Sequence, residues 1–321
     1  MVPEPLLAFL RAHHDFLLIG HQEPDADCLC SQLALGSFLT RAGKRVKQYN
    51  HGPFKRAEIN RYQPLFSPRI DPFDKVPRPG VIVLDCSSLD RIGDLQLDLG
   101  GLEVAVIDHH ATGQGFGDVK WIEAQRPSTT WMVHHLIVAW GEVPTPEEAH
   151  LLLLGLATDT GFFRHVEARA TDAFQTAAEL SRAGASAKAV FQQLNGGKVL
   201  VNLKLMGLIL SRTESLFGGR VALSWEALAD RAAFGAENRE SDTIYQALQG
   251  VTGVELIILL RQDTATTVTG GLRSKAVVDV GVLAQKFGGG GHVRASGFSC
   301  PGTLAEVKTR LLTEVALQFP D

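Results

Sequence analysis

Short apolar runs alternate with helical patterns in the first half of the chain, and this alternation limits the folds open to it. The runs are nearly continuous in Phe, Leu, Ile and Val, which is typical of strands buried on both faces of a parallel sheet. They lie at 16–21, 45–50, 81–86, 104–110 and 119–124. We therefore predict an α/β fold, with a parallel sheet covered by helices on both faces in the amino-terminal domain.

The pattern changes in the second half. Residues 220–225, 254–263 and 266–274 are predicted to be strands of a smaller sheet, with helices at 278–288 and 304–319. An Asn-Gly-Gly sequence is the weakest helical point of the preceding stretch. The prediction is a catalytic domain at 1–184, a linker or hinge at 185–198 and a smaller α/β domain at 199–321. We expect an active-site cleft between the two domains.

Composition excludes several classes of protein. With 45% apolar and 21% charged residues in 321, the chain is globular rather than disordered or coiled-coil. A net charge of -4 provides no basic footprint, so no long nucleic-acid partner is expected. No apolar run could span a bilayer and the start carries no signal pattern, so we expect no membrane partner and a cytoplasmic location. The four cysteines are predicted to be reduced thiols.

Acids and histidines lie where three of the predicted strands end. These ends read HQEPDAD at 21–27, VLDC at 83–86 and VIDHH at 106–110. A further acid, Asp159, lies in an otherwise apolar helical stretch. Buried carboxylates are normally paired with a base or bound to a metal, and none of these segments contains Lys or Arg. A divalent cation is the natural counter-charge.

The residue types narrow the choice of metal. Carboxylates mixed with imidazoles, without paired cysteines, favour manganese, magnesium or iron over structural zinc. A turn or a helix cap explains any single Asp, but not the whole set. The acids and histidines are more ligands than one ion can bind, whereas two ions about 3.5–4 Å apart would bind all of them. Such a pair of ions would suit hydrolysis of a phosphate ester. Ser128, Thr129 and Thr130 are interpreted first as a helix cap, with a phosphate contact as the second hypothesis.

Together with GGGGHVRASG at 288–297, these motifs resemble those of the DHH phosphoesterase superfamily, whose name is the triplet at 108–110. The resemblance covers nearly the whole chain, and the motifs follow the order of the family. In its length and its glycine-rich element, the chain most resembles a subgroup of small two-domain enzymes. These enzymes act as nano-RNases and as phosphatases on 3'-phosphoadenosine 5'-phosphate.

The resemblance implies six metal ligands, which are His21, Asp25, Asp27, Asp85, His109 and Asp159. His21, Asp25 and Asp85 would hold one ion, and the other three ligands would hold the second, with Asp85 bridging the two. His110 would face the substrate phosphate as a catalytic residue. Asp85 and Asp108 are the other expected catalytic residues, and Asp108 would orient a ligand.

Substrate contacts are expected in the carboxyl-terminal domain. Consecutive glycines let backbone N–H groups approach an anion, and an arginine at a strand end can bind a phosphate through two donors. The expected contacts are Arg273, Ser274, Gly289, Gly290, Gly291, His292 and Ser296.

The function predicted from the sequence is a two-metal phosphoesterase. It would require Mn2+, with Mg2+ or Fe2+ as the other choices, and would hydrolyse short oligoribonucleotides and nucleoside bisphosphates such as 3'-phosphoadenosine 5'-phosphate. One alternative is a phosphodiesterase for linear or cyclic dinucleotide messengers. Another, of a different class, is a non-catalytic nucleotide-binding regulator. A homodimer is compatible with the family.

Overall fold

The computed structural model describes residues 1–71, 78–110, 113, 115–166, 171–235 and 241–319. The chain forms two compact units, Met1–Gly197 and Lys198–Asp321. Over the described residues, no helix combines the length and the apolar character needed to cross a membrane.

The first unit is built on a parallel sheet of five strands in the order β2-β1-β3-β4-β5. Its strands are β1 (Asp15–Gly20), β2 (Arg45–Tyr49), β3 (Gly80–Leu84), β4 (Val104–Asp108) and β5 (Val119–Ile122). In this order the chain turns from one half of the sheet to the other between β1 and β3. Ligands of open α/β sheets bind at such a switch point, beyond the carboxyl ends of the strands.

Helices cover both faces of this sheet, as the apolar runs predict. They are α1 (Glu4–Ala12), α2 (Ala26–Arg41), α3 (Thr129–Ala139), α4 (Pro146–Asp159), α5 (Thr171–Arg182) and α6 (Ala187–Asn195), with 3-10 segments at Asn60–Leu65 and Leu89–Asp98. Strand β3 is buried along its whole length, and so is β4. The helices α2, α3 and α4 pack on one face of the sheet, and Ile92 and Leu95 contribute to the core on the other.

The stretch predicted as a linker is more ordered than its sequence suggests. Helix α6 lies inside it, and Val190 of that helix is buried in the core of the first unit. Gln193 accepts a hydrogen bond from Nε2 of His150 on α4 at 3.0 Å and donates to the carbonyl of Glu58 at 3.0 Å. The division into two units falls after Gly197, inside the predicted linker. A hinge at 185–198 and a cleft beside it stay predictions.

The second unit is built on a mixed sheet of six strands in the order β10-β11-β9-β8-β7-β6. Its strands are β6 (Glu214–Leu216), β7 (Val221–Glu226), β8 (Leu256–Thr264), β9 (Thr267–Ser274), β10 (Gly290–His292) and β11 (Ala295–Pro301). Its helices are α7 (Leu200–Ser211), α8 (Leu228–Phe234), α9 (Ser241–Gln249), α10 (Val280–Gln285) and α11 (Leu304–Ala316). One face of the sheet packs on α10 and α11, and the other packs on α7 and α9.

Candidate metal centre

Three strand ends and two helix ends meet at one site in the first unit. His21 follows β1, Asp85 follows β3, and His109 follows β4. Asp27 lies in the first turn of α2, and Asp159 ends α4. The parallel topology brings these residues together because the carboxyl ends of β1, β3 and β4 lie side by side at the same edge.

Asp85 is at the middle of this site. Its Oδ2 atom lies 3.5 Å from Nε2 of His21, and its Oδ1 atom lies 3.5 Å from Nε2 of His109. The side chain is almost completely buried. Its backbone adopts a left-handed conformation with φ of 62°, a strained state for a residue with a side chain, and its N–H donates to the carbonyl of Ile107 at 2.9 Å. The two carboxylate oxygens therefore face two different imidazoles.

Both imidazoles are fixed in the same way. Nδ1 of His21 lies 2.8 Å from the carbonyl of Gln22, and Nδ1 of His109 lies 3.1 Å from the carbonyl of Arg126. A carbonyl can only accept, so each Nδ1 carries the hydrogen. Each Nε2 is then directed at the carboxylates, and the Nε2 atom of His109 is buried. This is the tautomer and the orientation of a metal-ligating histidine.

Asp27 is held by the first turn of α3. Its carboxylate accepts hydrogen bonds from the N–H of Thr129 at 2.6 Å, and from the N–H and the hydroxyl of Thr130 at 2.9 and 2.6 Å. The hydroxyl of Thr129 donates to Oδ1 of Asp85 at 2.9 Å. Ser128 caps the helix, as predicted, by accepting from the N–H of Trp131 at 3.0 Å. The two threonines thus orient two of the expected ligands, a role that the sequence interpretation missed.

Asp25 and Asp159 complete the set. Asp25 caps α2 by accepting from the N–H of Cys28 at 3.0 Å, and its Oδ1 atom lies 4.0 Å from Nε2 of His21. On the other side of the site, Oδ2 of Asp159 lies 2.9 Å from Nε2 of His109. The structure therefore brings all six predicted ligands together.

The carboxylates of the site lack basic partners. Among the described residues, no Lys or Arg forms an ion pair with Asp27, Asp85 or Asp159. Burial, with the neighbouring carboxylates, raises the pKa of Asp27 and of Asp85 well above the usual range. Burial opposes a charged His109, but the hydrogen bond to Asp159 and the charges of Asp27 and Asp85 raise its pKa to about 10. The site is built for a positive charge.

The residues present fit divalent ions. In the part of the chain that the structure describes, three groups of side chains have ligand atoms within 4.8 Å of one another. They are His21 with Cys28 and Asp85, Asp85 with His109 and His110, and Asp27 with His109 and Asp159. Carboxylate oxygens and imidazole nitrogens are ligands that Mn2+ and Fe2+ accept. Cys28 is the least suitable of these atoms, because a soft sulfur ligand suits such ions less well than carboxylate oxygen or imidazole nitrogen.

His110 and Asp108 form a pair beside the six ligands. Oδ1 of Asp108 accepts hydrogen bonds from Nδ1 of His110 at 2.8 Å and from its N–H at 3.1 Å. The bond to Asp108 raises the pKa of His110. Asp108 is fully buried, whereas the side chain of His110 is 39% exposed. Asp108 can therefore hold a partly exposed imidazole in a fixed orientation.

A cavity of about 890 Å³ borders the site within the first unit. Its wall includes Asp159 and Thr160 at the end of α4, His165, Arg126 and Asp172. Gly161, with φ of 55°, allows the close approach of His165, because a Cβ atom there would lie 2.5 Å from the imidazole ring. The cavity is of a size that holds a small molecule.

In the second unit, strand register separates the expected substrate contacts. Arg273 of β9 pairs with Ala295 of β11, which pairs with His292 of β10. Paired residues of neighbouring strands point to the same face, so Arg273 and His292 share one face, two strands or about 10 Å apart. The guanidinium of Arg273 lies 4.4 Å from the ring centroid of Tyr245, and His292 is exposed.

Ser274 and Ser296 point to the face opposite to Arg273 and His292. Each is buried, and each hydroxyl donates within the unit, Ser274 to the carbonyl of Val278 at 2.6 Å and Ser296 to that of Val280 at 2.5 Å. These bonds hold the start of α10 against the sheet. A substrate contact from either serine stays a prediction.

The glycine-rich element is a tight hairpin at the edge of the sheet. A Cβ atom on Gly289 would lie 2.1 Å from the carbonyl oxygen of Gly297, and one on Gly291 would lie 2.6 Å from Cα of Ser296. These two glycines are therefore required by the close approach to β11. Gly290 meets nothing within 4 Å and pairs with Gly297, so the strip beside Arg273 and His292 is free of side chains.

Comparisons with known proteins agree with this organisation. Residues 15–156 match the DHH family, N-terminal domain, and residues 224–319 match the DHHA1 domain. The chain is 31% identical over 284 residues to the bifunctional oligoribonuclease and PAP phosphatase NrnA of Thermus thermophilus, over 88% of this chain and 83% of that protein. It is 27% identical over 300 residues to the protein of the same name from Bacillus subtilis, over 92% of each.

A solved structure shares the fold. The exopolyphosphatase-related protein of Bacteroides fragilis superposes with a TM-score of 0.80 at 22% identity, over 98% of this chain and 96% of that one. The matched domains lie in the predicted order, and the DHH motif that names the first is the strand-end triplet described above. The chain belongs to the DHH family of phosphoesterases, with an amino-terminal DHH domain followed by a DHHA1 domain.

Proposed function

We propose that this protein is a two-metal phosphoesterase that hydrolyses very short oligoribonucleotides and removes the 3'-phosphate of 3'-phosphoadenosine 5'-phosphate. The observation that carries the proposal is Asp85, whose two oxygens each lie 3.5 Å from Nε2 of a different histidine. One carboxylate between two ligand sets is what a bridged pair of ions requires. The names of the relatives from Thermus thermophilus and Bacillus subtilis support the choice of substrates.

The six ligands divide into two sets around Asp85. His21 and Asp25 would hold one ion, and Asp27, His109 and Asp159 would hold the other. Ligand chemistry favours Mn2+, with Mg2+ or Fe2+ as the other choices. When bound, such a pair lowers the pKa of a water molecule and neutralises charge that develops on the phosphoryl group.

Residues of the chain perform the remaining steps. The pair of His110 and Asp108 would bind the phosphoryl oxygens, because Asp108 holds Nδ1 and leaves Nε2 as a donor on the exposed side of the ring. The hydrogen bond to Asp108 raises the pKa of His110, which favours the charged form of this donor. The cavity beside Asp159 would receive the nucleoside attached to the scissile phosphate.

Arg273 and His292 would bind a second phosphate of the substrate. They share one face of the DHHA1 sheet, and the glycines beside them let a ligand approach the backbone. A contact to a terminal phosphate would favour substrates of a few nucleotides. The proposal includes a cytoplasmic enzyme without a long nucleic-acid partner, and a homodimer stays a prediction.

The test compares four substrates with Mn2+, which are 3'-phosphoadenosine 5'-phosphate, a ribodinucleotide, a long single-stranded RNA and inorganic pyrophosphate. We expect turnover of the first two and little of the others. Faster hydrolysis of the long RNA or of pyrophosphate would overturn the proposed substrate class. Ligand binding without turnover, unchanged in Asp85→Ala, would support a non-catalytic regulator instead.

A further comparison of substrates tests the alternative of a phosphodiesterase for dinucleotide messengers. A linear 5'-phosphorylated dinucleotide and its cyclic form differ in the free terminal phosphate that Arg273 and His292 would bind. Turnover of these two forms without turnover of 3'-phosphoadenosine 5'-phosphate would favour a messenger phosphodiesterase. Turnover of 3'-phosphoadenosine 5'-phosphate and of the linear 5'-phosphorylated dinucleotide, with the cyclic form left intact, would favour the main proposal.

A further inference from the structure

Arg126 contacts the metal centre through its backbone and the rest of the unit through its side chain. Its carbonyl oxygen accepts the hydrogen bond from Nδ1 of His109 at 3.1 Å. The residue lies in the loop between β5 and α3, where a carbonyl has no strand or helix partner to fix its direction. Something else must hold it in place if His109 is to keep one orientation.

The side chain of Arg126 reaches three different elements. Its Nε donates to Oε2 of Glu123 at 2.5 Å, just after β5, and its Nη1 atom lies 3.4 Å from Oδ2 of Asp172 on α5. Its guanidinium carbon lies 4.5 Å from the ring centroid of Trp131 on α3. The N–H of Arg126 also donates to the carbonyl of Glu123 at 3.0 Å. We call Arg126 with Glu123, Trp131 and Asp172 the Arg126 cluster.

The partners in this cluster are themselves fixed. Oε1 of Glu123 accepts from the indole of Trp121 at 2.7 Å, and Trp131 is buried and stacked on His135 with 3.7 Å between ring centroids. Trp131 directly follows the two threonines that hold Asp27 and Asp85. The guanidinium therefore ties the loop carbonyl to the same turn of α3 that orients the carboxylates.

We propose that Arg126 is a positioning residue of the metal centre, whose side chain holds the loop so that its carbonyl keeps His109 in the ligating tautomer. The inference rests on the proposed two-metal function. Partners that fix ligating histidines typically contribute 10–100-fold to metal affinity. Loss of the Arg126 side chain should therefore lower the affinity for the ion held by Asp27, His109 and Asp159. It should leave the affinity for the ion held by His21 and Asp25 unchanged.

The experiment measures Mn2+ binding to the metal-stripped full-length protein by titration calorimetry. Arg126→Ala is compared with Arg61→Ala, a matched control in the same unit. Arg61 also stacks on an aromatic ring, 4.7 Å from the centroid of Tyr62, and hydrogen-bonds to Gln193 on α6. We expect Arg126→Ala to weaken one of two Mn2+ sites by about 10–100-fold and Arg61→Ala to change neither.

Arg126→Lys adds a second readout. Lysine keeps the charge but loses the planar group that bonds Glu123 and stacks on Trp131, so we expect Mn2+ affinity between wild type and Arg126→Ala. If Arg126→Ala does not fold, the double variant Glu123→Gln and Asp172→Asn, which removes the charged partners, should give the same one-site loss.

The outcomes separate this inference from the proposed function. Two tight Mn2+ sites in the wild type, both unchanged in Arg126→Ala, would overturn the positioning role and leave the two-metal function standing. Equal weakening of both sites would also overturn it, because that is the result of a general loss of stability. A wild type that binds no Mn2+ would overturn the proposed function as well.

Discussion

The carboxylates of the metal centre and two carboxylates of the second unit differ in how their charge is compensated. In the second unit, Asp230 accepts from both terminal nitrogens of Arg212, and Asp263 from Arg261 and Arg231. The hydrogen bond from Arg212 lowers the pKa of Asp230. In the first unit, burial and neighbouring acids raise the pKa of Asp27 and Asp85.

This difference distinguishes an acid that stabilises the fold from an acid that is available to bind a cation. An acid paired with a guanidinium stabilises the fold by itself. Acids gathered without a base oppose folding until a cation binds, and a buried charge of this kind persists only where something compensates it. The following predictions test this contrast, beginning with the largest expected effect.

Asp85→Asn should reduce the rate of hydrolysis more than about 100-fold, because it removes the carboxylate that faces both histidines. Loss of a ligand should reduce the rate more than loss of a residue that only hydrogen-bonds to a ligand. The metal-free variant should be at least as stable as the wild type, because one of several repelling buried charges is gone. Activity assays and denaturant unfolding of metal-free protein measure the two effects. Loss of stability together with activity would mean that Asp85 is a structural residue.

The stability of the metal-free first unit should fall as pH rises. The folded-state pKa of His109 is raised to about 10 from an ordinary 6.5, so its stabilisation is complete below pH 6.5 and is lost as pH rises towards 10. The loss is at most about 1.4 kcal/mol per pH unit. Hydrogen exchange measured by peptide reports each unit separately.

The stability of the second unit should change with pH in the opposite direction and fall at low pH. The pKa of Asp230 is lowered below its ordinary 3.8, so its contribution is present above that value and is lost as pH falls below it. His109→Gln should remove the high-pH slope of the first unit and leave the second unchanged. The same high-pH slope in both units would contradict the assignment to His109.

Thr129→Val with Thr130→Val should lower Mn2+ affinity about 10-fold, because both hydroxyl bonds to the ligating carboxylates are lost while the helix N–H bonds stay. Thr40→Val is the control, since its hydroxyl donates to the carbonyl of Gly36 at 2.7 Å, inside α2. Equal Mn2+ affinity in the double variant and the control would show that the helix N–H groups alone orient Asp27.

Asp230→Asn should cost about 1 kcal/mol of unfolding free energy, because a charged hydrogen bond to Arg212 becomes a neutral one. Mn2+ binding and hydrolysis should not change. Denaturant unfolding with and without Mn2+ measures both. A change in metal affinity would mean that the two units are not independent in this respect.

Much of the metal site could be predicted from sequence because parallel strands place their ends together. The apolar runs before Asp85 and His109 predict the strands, and the residues at the strand ends predict the cluster of carboxylates and imidazoles that the structure brings together. The roles of Thr129 and Thr130 were not predictable in the same way. A Ser-Thr-Thr sequence before a helix indicates a cap, and only the position of α2 shows that Asp27 lies against it.

The prediction was weaker where tertiary packing decides the outcome. The linker at 185–198 contains α6, whose Val190 becomes part of a core that the local sequence does not reveal. Ser274 follows Arg273 directly in β9, so strand alternation puts it on the other face, and the pairing of Ser296 with Leu272 puts Ser296 there as well. A shift of one residue in a strand reverses the face, and the sequence alone did not fix where the hairpin turns.

Counting Mn2+ ions bound to the metal-stripped protein is the most direct test of the central claim, which is that Asp85 joins two ligand sets. Titration calorimetry with elemental analysis should give two ions per wild-type chain and fewer, weaker ones for Asp85→Asn. A single ion in the wild type, or the same number and affinity after Asp85→Asn, would contradict a bridged pair at this site.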